Sequence, residues 1–208
     1  LGLDTWFHPT VDVQRSGKSD LYAFDGMSKY DIIYPGDLLH CDFGISYLTL
    51  NTDCQELAYV LKPEETKAPE FLEEALAQGN AVQDHLTDNY KKGKSGNAIL
   101  KQAIEDSKAA GLRPQIYTHP LGLYGHSAGT TIGMWDAQEG VPGSGDHPLH
   151  EETVYAIELN AKVFIPEWEK DVRVMLEEAG YFGGDGFRYV NGRQTKLLLV
   201  GGKEKHLE

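Results

Sequence analysis

The stretch YPGDLLHCDFGISYLTLNTDCQELAYVL, residues 34–61, decides the fold. Pro35-Gly36 marks a turn, and the two apolar arms that follow read as strands of a hairpin. Residues directly opposite each other in an antiparallel hairpin share one face of the sheet. Asp42 and Asp53 are equidistant from a turn at Tyr47–Leu48, so the reading places them side by side. A second hairpin repeats the pattern. ETVYAIELNAKVFI (152–165) and DVRVMLEEAGYF (171–182) flank the turn PEWEK, and Glu158 and Glu177 are equidistant from Glu167–Trp168. Carboxylates inside such apolar strands are costly when unpaired. Like charges this close hold a proton between them unless a cation neutralises them. The charge of these four acids balances two divalent ions. Oxygen-rich sites with one imidazole favour Mn, Fe, Co or Zn over a pure Ca or Mg cage.

Between the hairpins lie two helical patterns. APEFLEEALAQGNAVQDHLTDNYKKG begins with Pro69 at a first turn and carries a buried stripe of Leu72, Ala75, Leu76, Val82 and Leu86. SGNAILKQAIEDSKAAG is a second helix stopped by Gly111. A glycine-rich stretch from 120 to 148 reads as a long loop of the functional kind. GFRYVNGRQTKLLLV, near the end, holds two more strand-like pieces. The order hairpin, two helices, loop, hairpin predicts an α+β fold, with helices against an antiparallel sheet.

The bulk numbers narrow the function. With 208 residues, 40% apolar and 25% charged, the chain has the balance of a soluble globular domain. Its net charge of −13, without a run of Lys or Arg, argues against nucleic acid and anionic membrane surfaces as partners. No apolar stretch approaches a membrane span. Two cysteines, Cys41 and Cys54, are too few for a disulfide scaffold. The same equidistance makes them face each other, as two buried thiols rather than a disulfide. The chain opens without Met, so a removed leader or upstream domain is expected, and the compartment is left open: cytoplasmic by default, exported if a leader was cleaved. The closing HLE is set aside as an expression-vector remnant.

GHSAG, residues 125–129, fits the G-x-S-x-G elbow of serine hydrolases, with Ser127 as nucleophile. That motif needs a helix directly after the Ser. AGTTIGMWDAQEGVPGSGD follows instead, turn-rich and without helical period. The serine-hydrolase reading is the remote alternative, and His126 is the informative residue of the pentapeptide.

His119 and His126 stand in YTHPLGLYGHSAG as H-x-x-G-x-x-x-H. With D-F-G and the Asp eleven positions later, AIELN and MLEEAGYFGGDG, this ordered set resembles the pita-bread dinuclear metallopeptidases. These comprise Xaa-Pro aminopeptidase, prolidase and, more distantly, methionine aminopeptidase. The resemblance spans roughly residues 5 to 190 and implies a single catalytic domain over 1–208 with the pita-bread fold. Family members normally have helices, and often an N-terminal domain, before the first substrate His, so a start that has been shortened, or an unusually short relative, is expected. It implies two divalent ions, Mn first, with Co, Zn or Fe as alternatives, held by Asp42, Asp53, His119, Glu158 and Glu177. Asp42 would chelate one ion, Asp53 and Glu177 would bridge, and His119 and Glu158 would complete the second. His8, His126 and Glu177 would be catalytic: the histidines as donors to the substrate carbonyl, Glu177 as general base. His8 requires an insertion around 15–30 relative to the family. Of the other acids in the second hairpin, Glu169 falls in the turn and Glu178 on the opposite face from Glu177. The activity implied is hydrolysis of N-terminal peptide bonds, Xaa-Pro first, on short peptides, by water bridging the ions. The family often dimerises, so a homodimer is expected. Leu159 replaces the Pro of the family's E-P-G, Met175 replaces an Arg with Arg173 the nearest, and Gln115 replaces a further His. These departures bear on proline specificity more than on metal binding. A non-peptidase hydrolase or a silent peptide-binding member of the same fold is the runner-up.

Overall fold

The computed structural model describes residues 2–17 and 32–201. Most of the insertion expected around 15–30, and the closing HLE, lie outside the described residues. The strands are β1 (Asp4–Thr5), β2 (Thr10–Gln14), β3 (Leu38–Phe43), β4 (Ile45–Tyr47), β5 (Leu50–Asn51) and β6 (Cys54–Val60). Helices α1 (Glu70–Thr87) and α2 (Gly96–Ala109) follow. Then come β7 (Pro114–Ile116), β8 (His119–Leu121), β9 (Thr153–Ile165), β10 (Lys170–Gly183), β11 (Gly186–Tyr189) and β12 (Leu198–Val200).

The main sheet runs β2-β3-β6-β10-β9-β7, with β8 on β9, β11 on β10 and β12 on β6. β12 pairs parallel to β6; the other ladders are antiparallel. β1, β4 and β5 form a small separate sheet. The centre of the main sheet is the contact of the two hairpins, where Glu177 on β10 pairs with Gln55 on β6.

Both helices form where their apolar stripes predict. Leu72, Ala75, Leu76, Val82 and Leu86 are all buried on α1. Ser95 caps α2 by accepting from Ala98 N–H, and Gly111 follows its end with φ 78°. Pro69 is the N-cap of α1 rather than part of its first turn. Gly79 sits mid-helix because α1 lies directly on β10: a Cβ there would be 2.6 Å from Val174 Cγ1 and 2.9 Å from Leu176 Cδ1. The main core cluster packs the helices against the sheet and includes Ile99, Ile116, Tyr155, Ile157 and Leu176, with a smaller cluster of Val13, Leu39 and Val60 beside it. On β9 and β10, Glu158 and Glu177 alternate with the core residues Ile157 and Leu176 and so project from the other face. The fold is the α+β pita-bread arrangement expected from the sequence.

The second hairpin has the expected register, with Glu158 opposite Glu177. The first does not. Its turn falls at Leu48–Thr49, one residue later than equidistance of the two acids requires. Tyr47 pairs with Leu50, Asp42 with Gln55, and Cys41 with Glu56. Asp42 and Asp53 are therefore diagonal neighbours on one face rather than direct partners. Cys41 and Cys54 do not face each other and are both free thiols.

Candidate metal centre

Five side chains from four strands and the loop before β6 converge over the centre of the sheet. Asp42 comes from β3, Asp53 from just before β6, His119 from β8, Glu158 from β9 and Glu177 from β10. Asp42, Asp53 and Glu177 bring one ligand atom each within 4.8 Å of one another, and so do His119, Glu158 and Glu177. A third grouping joins Asp53 and His119 to His126. His119 Nε2 lies 3.9 Å from Asp53 Oδ2, 3.8 Å from Glu158 Oε2 and 3.7 Å from Glu177 Oε1. These separations are too long for hydrogen bonds. They suit atoms on opposite sides of an ion that binds N and O donors at about 2.0–2.2 Å.

The electrostatics point the same way. Burial, with the Asp42 charge added, pushes Asp53 up to about 8. Burial pushes Glu158 up to about 8, against the stabilising hydrogen bond from Gln55. Asp42 rises to about 6, chiefly by burial, with His40 opposing. Glu177, 1% exposed, is held well above the usual carboxylate range by burial and by its three acidic neighbours. His119 moves the other way, down to about 4, by burial and the neighbouring His126. It is therefore neutral. Its Nδ1 lies 3.1 Å from the Pro120 carbonyl, which only accepts, so the proton sits on Nδ1. Nε2 then presents a bare lone pair to three carboxylates. Among the described residues, Asp42 Oδ1, His119 Nε2 and Glu177 Oε1 are buried without a hydrogen-bond partner. Orphaned acceptors facing one another are explained by a cation between them. An imidazole fixed by Nδ1–H on a carbonyl is also the usual arrangement behind a metal-ligating His. The donor set fits a transition metal of the Mn, Fe, Co or Zn kind.

His126 lies beside this cluster, its ring 4.1 Å from that of His119. Tyr117 Oη is 3.2 Å from its Nδ1, and Trp6 packs edge-on at 5.8 Å. The structure does not bring His8 into any of these groupings. His8 is exposed, and its Nδ1 contacts the Pro9 carbonyl at 2.9 Å. Glu169 caps the β9–β10 turn in left-handed backbone, and Glu178 accepts from Gln194 N–H on the face away from the cluster. The elbow is not assembled. Ser127 Oγ donates to the Tyr124 carbonyl at 2.8 Å, while Asp146 accepts from Asn97 and Gly143. No helix follows Ser127 directly.

Three residues of the site were missed from the sequence. Tyr117 and Trp6 sit in irregular or edge segments without a pattern to flag them. Gln55 had a usable signal: it lies two residues after Asp53 in a strand, hence on the same face. A cavity of about 220 Å³ opens beside Glu158 and Gln55, walled by Tyr117, Trp135, Met175 and Arg173. A larger one of about 470 Å³ lies around Arg15, Asp37 and Trp168, away from the acids. Arg15 and Asp37 are there already paired at 2.6 Å.

The model of metallopeptidase family M24 matches residues 4–189. The chain belongs to metallopeptidase family M24. Among solved structures, this M24 chain is similar to an X-Pro aminopeptidase from Thermotoga maritima (TM-score 0.68, 20% identity, 94% of this chain and 50% of that one). It is similar to an Xaa-Pro dipeptidase from Bacillus anthracis (TM-score 0.62, 20% identity, 94% and 49%). It is similar too to a methionine aminopeptidase from Rickettsia prowazekii (TM-score 0.61, 13% identity, 87% and 72%). The chain spans about half the length of the first two. No curated protein matches it. Among the described residues no helix is long and apolar enough to cross a membrane.

Proposed function

We propose that this M24 chain hydrolyses the N-terminal bond of short peptides, Xaa-Pro bonds first, with two divalent ions held by Asp42, Asp53, His119, Glu158 and Glu177. The observation that carries the reading is the lone pair of His119 Nε2, buried and unpartnered among three carboxylates. Divalent ions in this position supply acidified water and a polarised carbonyl. The chain's own groups do the rest. Glu177, buried and of raised proton affinity, is the proton carrier nearest the reacting centre. Tyr117, pushed up to about 12 by burial and then by Glu158, keeps its hydroxyl proton. Donated to His126 Nδ1, that proton fixes the imidazole with its N–H on Nε2. Partial desolvation lowers the proton affinity of His126. Its Nε2–H is then the donor to the substrate carbonyl and to the oxyanion that develops there. His8, two residues beyond Trp6 on the segment that reaches His126, is the second donor, acting from the solvent side.

The cavity beside Glu158 offers Tyr117, Trp135 and Met175 as apolar wall, with room for a residue of the size of proline. Soluble behaviour and a homodimer complete the reading, with short peptides rather than nucleic acid or membrane as partners. The test is ion content followed by turnover. The purified chain, loaded with Mn(II) and dialysed, is expected to retain two ions and to cleave an Xaa-Pro dipeptide or tripeptide. Retained ions without cleavage of any N-terminal bond would leave the silent, peptide-binding member of the fold. No retained ion would overturn the site.

A further inference from the structure

The outward residues of β9 and β10 meet in rows, because the ladder pairs Glu158 with Glu177, Asn160 with Met175 and Lys162 with Arg173. Gln115 on β7 extends the second row through its pairing with Asn160. The first row belongs to the candidate metal centre. The second is uncharged, and Asn160 Nδ2 donates there to Gln115 Oε1 at 2.8 Å. The third is cationic. The cavity of about 220 Å³ beside Glu158 spans these rows. Among the described residues that line it, Glu158 is the one acid and Arg173 the one cation. Lys162 does not line it and is tied, with Arg113, to Asp171 at 3.3 and 2.6 Å.

The wall of this cavity is built into the fold. Gln115 Nε2 donates to the Trp135 carbonyl at 2.5 Å. Gln138 accepts from Ile116 N–H at 2.9 Å and donates to the Ile116 and Met134 carbonyls at 2.8 and 2.7 Å. The loop carrying Trp135 is thereby fastened to β7. At the cationic end the backbone of Arg173 is fixed too: its N–H donates to Gln14 Oε1 and its carbonyl accepts from Gln14 Nε2, both at 2.7 Å. A pocket held in this way loses little to ordering when a ligand enters.

The spacing of the rows sets the length of that ligand. Glu177 and Arg173 are four strand residues apart, about 13 Å along the backbone. Arg173 lines the same cavity as Glu158, so its side chain covers part of the interval. An extended peptide advances about 3.3–3.6 Å per residue, so about one or two residues after a bond held at the acids bring the chain to the guanidinium. A peptide that ends there presents a carboxylate, which a guanidinium matches with two parallel N–H···O bonds. A longer peptide presents a neutral amide. We infer that Arg173 is a specificity-determining residue that holds the free C-terminal carboxylate of di- and tripeptides, so that the chain selects peptides ending within two residues of the cleaved bond. The inference rests on the peptidase reading above and narrows its substrate class.

Ala-Pro-Ala and its C-terminal amide test it on the full chain loaded with Mn(II). The two are compared by kcat/KM, and by Kd from calorimetry where there is no cleavage. The acid is expected to be favoured by at least about tenfold, the effect of a hydrogen bond to a charged group. Arg173→Met keeps an unbranched stem and removes the guanidinium. It is expected to bring the ratio to about threefold or less, through KM rather than kcat, and Arg173→Lys is expected to restore part of it. Ala-Pro-Glu amide, with its carboxylate on a side chain, is expected to behave as the Ala-Pro-Ala amide does. Equal handling of acid and amide by the wild type would overturn the inference while leaving the peptidase reading intact, and this comparison needs no variant to fold. A ratio that persists in folded Arg173→Met would overturn it too, as would full recovery with the Glu amide. Preference for the acid in Kd without cleavage would uphold the role of Arg173 and overturn the peptidase reading, and binding of neither peptide would overturn both.

Discussion

The two hairpins carry the same chemistry on differently marked turns. In the second, Pro166–Trp168 forms a short 3-10 turn closed by Glu169 in left-handed backbone, and thirteen residue pairs run in one register from it. Pro and the charged cluster mark that turn in the sequence, so Glu158 and Glu177 face each other as read. In the first, the reversal rests on Leu48 and Thr49, both left-handed at φ 48° and 67°. A two-residue turn of this geometry suits Asn-Gly or Asp-Gly, and neither is present. Pairing the two acids puts the turn one residue too early. One residue at the turn is two in the pairing, and the residue opposite Asp42 is Gln55 instead of Asp53. The error of register and the failure to see Gln55 are one fact.

The largest way to sharpen this comparison is to remove Asp53, which stands in two of the three groupings and is expected to bridge the proposed ions. Asp53→Asn is expected to abolish Mn(II) retention and to lower turnover by more than a hundredfold, beyond the roughly 10–100-fold of losing a group behind the ligands. The fold is expected to persist, because the substitution relieves repulsion. Asp53 in the folded chain titrates at about 8, well above its unfolded value of about 4. Without a divalent ion, the folded state binds this proton more tightly than the unfolded state. Its contribution to stability is then complete below about pH 4 and is lost as pH rises through about 8. Thermal melts in chelator across pH 4–9 are expected to fall with rising pH in the wild type, and less steeply in Asp53→Asn. Mn(II) is expected to restore the wild type alone. Full activity in Asp53→Asn would sink the ligand assignment.

A smaller effect separates the ends of the two hairpins by their link to the site. A Cβ on Gly44, between β3 and β4, would stand 2.1 Å from Trp6 Nε1 and 2.5 Å from the Thr52 carbonyl. Trp6 Nε1 donates to that carbonyl at 2.7 Å, and its ring covers Gly125 and leans on His126. A Cβ on Gly180, on β10, would meet only side chains, Phe187 at 2.4 Å and Ile157 at 2.9 Å. Both Ala substitutions are expected to cost about 1–3 kcal/mol as overpacking. Gly44→Ala is also expected to displace Trp6, raising KM and lowering kcat, since it disturbs the wall beside His126. Gly180→Ala is expected to leave both constants alone. Equal kinetics in the two variants would detach the N-terminal segment, and His8 with it, from the site.

The comparison also shows what the sequence made legible. Patterned elements came through: the α1 stripe, the α2 cap and stop, the second hairpin, and the convergence of Asp42, Asp53, His119, Glu158 and Glu177 on one face. What did not come through depends on contacts without a period. Trp6 reaches the site because Gly44 and Gly125 leave room for an indole, a complementarity spread over more than a hundred residues of chain. Tyr117 precedes β8 in an irregular step, so no alternation rule aims its hydroxyl at His126. His40, in the apolar run LLHC, reads as a stray polar residue until Gln55 is known to be opposite the neighbouring acid. Local periodicity locates the candidate ligands on strands, but the groups that touch them are found through register.

The smallest expected effect lies at the outer end of the second hairpin. Asp171 on β10 accepts from Arg113 at 2.6 and 3.1 Å and lies 3.3 Å from Lys162. The Arg113 hydrogen bonds hold its carboxyl below the usual range. The cluster is about half exposed on the Arg and Lys side, so water screens it, and such pairs contribute about 0.2–1 kcal/mol. Asp171→Asn is expected to lower Tm by no more than about 4 °C at low salt, and by less at high salt. Mn(II) retention and kcat are expected to be unchanged, because the register from Lys170 to Glu177 is held by the ladder to β9 and not by this pair. A loss of ion retention in Asp171→Asn would mean that the tip sets the register, and that the Glu158–Glu177 alignment depends on its charges as well as on its turn.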